Sequence, residues 1–259
     1  MASTTTLRWR RSAAQLHALE EVEREIRATD PHLRRKYLRD FQTAYQTYEA
    51  VLTPAQLQAE CLGADIILAG DYHALAASQR FAGNLVRHLK ASNRKVVLGL
   101  EFVFARDQHI LNEWLAGDID EQELRDRIRF DLDWGYEWQP FRELLESGRE
   151  SAEAVYGLDC PPRNNLRKIA RRDQHAAAKI VEIRERHPDA VVVVLFGESH
   201  LAPTHLPLCL QSRRPEDRIL TVLQNIDALY WQAAGEPMER VEAVRINKEV
   251  VCVFNSSPL

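Results

Sequence analysis

The chain has 259 residues, 45% of them hydrophobic and 28% charged, with a formal net charge of −4 at pH 7. That length and mixture support one large core and exclude a mainly disordered chain, and the slight acidity offers no positive excess for a nucleic-acid backbone. Cys61, Cys160, Cys209 and Cys252 stand far apart without a C-x-x-C pair, which excludes a zinc ribbon or dithiol motif and points to a reducing compartment.

The first residues, MASTTTLRWRRSAAQLHALEE, carry arginines but no apolar stretch of secretory length, and the longest apolar run, AVVVVLF, is too short to cross a bilayer. A cytoplasmic chain without a membrane span is expected. Asp30 and Pro31 read as an N-cap and first helical position, and Leu33, Tyr37, Leu38, Phe41, Tyr45 and Tyr48 form one stripe. The spacing predicts a helix from Pro31 to Val51 whose aromatic face packs on a sheet. Residues 1–60 therefore read as a helical N-terminal extension and 61–259 as one α/β domain.

From Ala64 onward, short apolar runs alternate with helical stretches. The runs are ADIILAG, KVVLGLE, AEAVYGLD, AVVVVLFG, RILTVLQN and EVVCVFN. Such alternation predicts a mostly parallel sheet with helices on both faces. Between the runs, Leu75, Phe81, Leu85 and Leu89 keep helical spacing, as do Leu166, Ile169, Ala177, Ile180 and Ile183. The basic cluster RKIARR, Arg167 to Arg172, reads as a solvated helix face. Asp173 falls on the apolar stripe of the same helix, where a carboxylate needs a partner such as a neighbouring arginine. The longest connection holds a helix through Trp114, a capping box from Asp120 to Glu123, and the aromatic patch Trp134, Tyr136, Trp138 and Phe141. That patch reads equally as packing or as the wall of a pocket.

Ligands of open α/β sheets bind outside the carboxyl ends of the strands. In this chain those ends release Asp71, Tyr72 and His73, then Glu101, then Asp159 and Cys160, then Gly197, Glu198, Ser199 and His200. The Gly-x-x-His pattern occurs twice, at Gly70–His73 and Gly197–His200, and a glycine suits a turn pressed against a bound group. Imidazoles and carboxylates ligate divalent metals, and they also serve acid–base chemistry. His73, Glu101 and His200 are accordingly the candidate metal ligands and catalytic groups. Ser199 lies in no G-x-S-x-G elbow, and no nucleotide loop is present.

The segments GDYHALAASQRFAGNLVRHL, VVLGLEFVFARDQHILNEWLAGDIDEQEL, WQPFRELLESGRE and VVVVLFGESHLAPTHLP together resemble the ChaN-like haem-binding uptake family, within the Tiki and erythromycin-esterase-like superfamily. The resemblance implies an α/β fold with helices on both faces, haem as cofactor, a tyrosine ligand to its iron and a homodimer contact near it. It also implies the rival chemistry of the superfamily, a metal-dependent hydrolase using Glu101, His73 and His200. The implied haem site comprises Tyr72, His73, Glu101, Glu198, His200, Tyr136 and Trp138. Asp71 stands where the family usually has Glu, and Trp138 where it has a tyrosine. Tyr72 and Tyr136 remain as phenolate ligands, a role known for ferric haem. The partner implied is haem or another small molecule, with no nucleic acid.

Overall fold

The structure is a computed structural model that describes residues 43–163, 169–226, 229, 232–233 and 241–255. Its strands are β1 (Ala50–Leu52), β2 (Ile66–Asp71), β3 (Lys95–Phe104), β4 (Ala154–Asp159), β5 (Ala190–Gly197), β6 (Ile219–Gln224), β7 (Ala243–Asn247) and β8 (Val250–Val253). They form one sheet in the order β1-β7-β8-β6-β2-β5-β3-β4. From β8 to β4 every pairing is parallel, and β7 and β1 add an antiparallel margin.

Side chains alternate across a strand, so a sheet buried on both faces needs apolar residues at successive positions. The run Val191–Val194 meets that demand: Val191 and Val193 enter one core, Val192 and Val194 the other. The first core is closed by α1 (Pro54–Leu62), α2 (Ala76–Ala91), α3 (Gln108–Ala116), α4 (Glu121–Arg127), the short α5 (Phe130–Asp133) and α6 (Trp138–Ser151). The second is closed by α7 (Ile169–Arg186) and α8 (Leu206–Gln211). Among the described residues no helix is long and apolar enough to cross a membrane.

Two expectations differ from the structure. The helix predicted through Val51 gives way to β1, which pairs with β7. Thr53 is extended, with φ −74° and ψ 159°, as the residue before a proline tends to be, and its side chain caps α1 in a reciprocal box with Gln56. Tyr45 from the predicted stripe follows helical Thr43 and Ala44, is buried and donates to Leu201 O at 2.7 Å. Leu33, Tyr37, Leu38, Phe41 and Leu166 lie outside the described residues. Strand β7 had no counterpart among the predicted runs, because AVRIN is short and carries Arg245 at its centre.

Candidate functional site

The carboxyl ends of β2, β5 and β6, together with β3 and β4, form one rim. Leu100 is the last β3 residue paired to β5, and the β3–β4 register shifts between Leu100 and Phe104. This irregularity spans Glu101, where a local change of strand direction can re-aim a side chain. The Glu101 carboxylate reaches across to β5, where its Oε2 accepts the Gly197 N–H at 2.5 Å. A Cβ at Gly197 would lie 3.2 Å from that oxygen and 3.4 Å from His73 Nε2. A side chain at Gly197 would press on both Glu101 and His73, between which β5 passes.

Each histidine is paired with an aspartate. His73 Nδ1 lies 2.7 Å from Asp71 Oδ2, and Gln79 holds the other oxygen of Asp71. His200 Nδ1 lies 2.6 Å from Asp173 Oδ1. Nδ1–H donation to a carboxylate selects the tautomer whose Nε2 is the basic nitrogen. For His73 that nitrogen faces Gly197 and Glu101. For His200 it lies 3.7 Å from Glu101 Oε1 and 3.5 Å from Arg172 Nη1. The two differ in access: the His73 side chain is 14% exposed and that of His200 is 4%.

Arg172 stands at the centre. Its Nη2 bonds Glu101 Oε1, while Nε and Nη2 reach Asp159 Oδ1 and Oδ2 at 2.8 and 2.9 Å. The planar fork suits this bidentate arrangement. Burial pushes the Glu101 carboxyl up, but the Arg172 guanidinium, His200, His73 and the Gly197 N–H outweigh it and hold the group at about 2. Burial opposes the charge of Arg172, and Glu101 and Asp159 more than restore it. Arg163 adds a second guanidinium, bonded to Asp159 Oδ2 at 2.8 Å and Glu101 O at 2.8 Å, with its head 3.9 Å from the Phe104 ring centroid and 4.6 Å from that of Trp134. Burial lowers its pKa from the ordinary arginine value.

The metal ligands expected from the sequence are His73, Glu101 and His200. The three side chains do meet, yet both Glu101 oxygens are engaged and Arg172 supplies the positive charge expected of a cation. Among the described residues no group of three His, Cys, Asp or Glu side chains could hold a metal ion. The solvated face expected for Arg167–Arg172 is corrected at Arg172, which is 7% exposed. Asp173, expected to need a partner, pairs with His200. A signal was available: Arg172, Ala176 and Ile180 share helical spacing with Ile169, so the arginine lies on the buried stripe.

The aromatic candidates divide. Trp134 and Tyr136 pack on His73, with ring centroids 4.4 and 5.1 Å away. Trp138 packs on Phe130, and its Nε1 donates to Glu121 at 2.7 Å, so it belongs to the core beneath α6 rather than to the rim. Tyr72 hydrogen-bonds Glu198, which also accepts the Gln224 N–H at 2.6 Å. A separate polar cleft of about 670 Å³, bordered by Glu60, Arg218, Arg245 and Lys248, opens at the start of β6, the opposite sheet edge.

A family model described as haem-binding uptake, Tiki superfamily, ChaN matches residues 57–179. That span includes His73, Glu101, Arg172 and Asp173. The structure is similar to ChaN of Campylobacter jejuni, solved with cofacial haem, at 15% identity and a TM-score of 0.50 over 71% of this chain and 94% of that one. It is also similar to the type III effector HopBA1, at 12% identity and a TM-score of 0.57 over 82% and 98%. At these identities the likeness shows the fold alone. No curated protein matches the sequence. By the family model over residues 57–179 and the shared fold, the chain is similar to the ChaN-like proteins of the Tiki superfamily.

Proposed function

We propose that the rim is a metal-independent hydrolytic site in which His73 removes a proton from a water attacking a neutral ester or amide carbonyl. The observation that carries this reading is the Asp71–His73 pair at the mouth, beside a Glu101 carboxylate locked by Arg172 and Gly197. Asp71 fixes the imidazole tautomer, and the fixed charge of Glu101 stabilises the imidazolium that forms, the division of labour seen in other carboxylate–histidine sites. Arg163 and Arg172 are both committed to carboxylates, which leaves no surplus positive charge on these two arginines to recruit a phosphoester. A neutral acyl substrate suits it better. The experiment is turnover of a panel of carboxylic esters and amides by the wild-type chain and by His73→Ala. A loss of about 100-fold or more is expected from removing the base. No turnover by the wild type, or equal turnover by both, overturns the reading.

A second reading, haem binding, is favoured by Trp134 and Tyr136 flanking His73 and by the similarity of residues 57–179 to haem-binding uptake proteins. Tyr136 and His73 are the groups that would meet the haem, which when bound supplies an iron centre. Titration with hemin then gives a Soret band that Tyr136→Phe attenuates; a saturating titration without spectral change refutes it.

A further inference from the structure

The rim contains two buried glutamates in opposite surroundings. Glu101 is bonded by a guanidinium and by a backbone N–H. Glu198 is 3% exposed and has no arginine, lysine or histidine partner among the described residues. Its Oε1 accepts the Gln224 N–H, the Tyr72 side chain bonds to the carboxyl, and its Oε2 is buried with no hydrogen-bond partner among the described residues. Gly70 makes room for it: a Cβ there would lie 3.0 Å from Glu198 Cγ and Oε1. The charges and phenols acting on it are Asp71, Tyr72 and Tyr45, and none of them stabilises a carboxylate by positive charge. An ionised carboxylate in such a place is costly, and a neutral carboxylic acid is not.

Resting on the hydrolytic reading above, we propose that Glu198 is the proton source of the reaction, delivering through the Tyr72 phenol to the leaving group while Glu101 stays ionised. Tyr72 is half-buried and adjoins His73 in the chain, so it is the member of the pair placed to meet a substrate. The step balances. As the carbon–oxygen bond to the leaving group breaks, its oxygen takes the phenolic proton of Tyr72, and Tyr72 takes the carboxylic proton of Glu198. The proton that His73 removed from the attacking water returns through solvent to Glu198. Burial pushes this carboxyl up to about 8, against the opposing hydrogen bonds of Tyr72 and Gln224, while Glu101 is held at about 2. Carboxyls driven apart in this way divide acid from base roles.

The test compares hydrolysis of two acetate esters, one releasing p-nitrophenol and one releasing a simple alcohol, by wild type, Glu198→Gln and Tyr72→Phe. A phenolate leaves without a proton and an alkoxide does not. The alkyl-to-aryl rate ratio is expected to fall about 100-fold or more in both variants, whereas a merely structural defect lowers both rates together. A ratio equal to that of wild type overturns the proton-source assignment alone. No wild-type turnover of either ester overturns the hydrolytic reading and this inference with it. Infrared difference spectra provide a readout without turnover: a carboxylic-acid carbonyl band at neutral pH should vanish in Glu198→Gln, and its absence from the wild type also overturns the assignment.

Discussion

Arg172 on α7 and Glu101 on β3 form an ion pair buried on both sides, with side chains 8% and 4% exposed. The same guanidinium serves Asp159, whose side chain is 0% exposed. Removing it leaves two carboxylates without their shared counter-charge in a dry site. Breaking a buried pair from one side costs roughly 3–5 kcal/mol, so Arg172→Ala should lower the thermal midpoint markedly or abolish folding. Arg172→Lys keeps the charge but loses the fork, and a point charge cannot reproduce the two-oxygen grip on Asp159. Thermal denaturation of both variants should place Lys between wild type and Ala. A lysine variant as stable as wild type would show that charge alone suffices.

Gly197 should be a position where function is lost before stability. Its φ is −49°, open to any residue, so the backbone needs no glycine for its own sake. The constraint comes from the neighbours, since a methyl group would press on Glu101 Oε2 at 3.2 Å and on His73 at 3.4 Å. Gly197→Ala should therefore displace the His73 ring and shift its imidazole NMR resonances, with a smaller change in thermal midpoint than Arg172→Ala. Unchanged His73 resonances would mean that the rim has slack to absorb the methyl.

Six of the eight strands were legible because each is a run of β-branched or aliphatic residues that the two-faced sheet demands. The convergence of His73, Glu101 and His200 was legible for the same reason, since a parallel sheet brings its strand ends to one edge. The charge that binds them was not. Arg172 sits in a basic cluster whose other members obscure its place on the buried stripe, and which carboxylates it meets depends on where α7 crosses the sheet, which no local pattern encodes. Asp173 was suspect as a carboxylate on an apolar stripe, yet its partner His200 lies 27 positions away and on another element. Glu198 and Glu101 look alike in sequence. They differ only in which neighbours the fold brings to them.

Asp173 tests whether His200 must be held. Asp173→Ala leaves His200 Nδ1, already buried, without its 2.6 Å acceptor. An unsatisfied buried donor costs about 1–3 kcal/mol. Asp173→Asn keeps the shape, and its amide oxygen can still accept from Nδ1–H. Urea midpoints should therefore rank wild type, then Asn, then Ala. Equal midpoints for Asn and Ala would show that the charge of Asp173, rather than its acceptor, is what matters.

Glu198 also predicts how stability depends on pH. Burial raises its carboxyl from 4.5 to about 8, so the fold binds this proton more tightly than the unfolded chain does. By linkage, the contribution is fully present below 4.5 and is lost as pH rises through about 8. Glu101 acts in the opposite sense and in another window: held at about 2, it stabilises above 4.5 and loses that contribution as pH falls through 2. Asp71, raised by burial against the pull of His73, shares the sign of Glu198. Glutamine keeps the shape and stays neutral at every pH. The urea midpoint of the wild type should accordingly fall between 4.5 and 8, and that of Glu198→Gln should fall less over the same interval. Parallel profiles for the two proteins would mean that Glu198 carries its charge inside the fold.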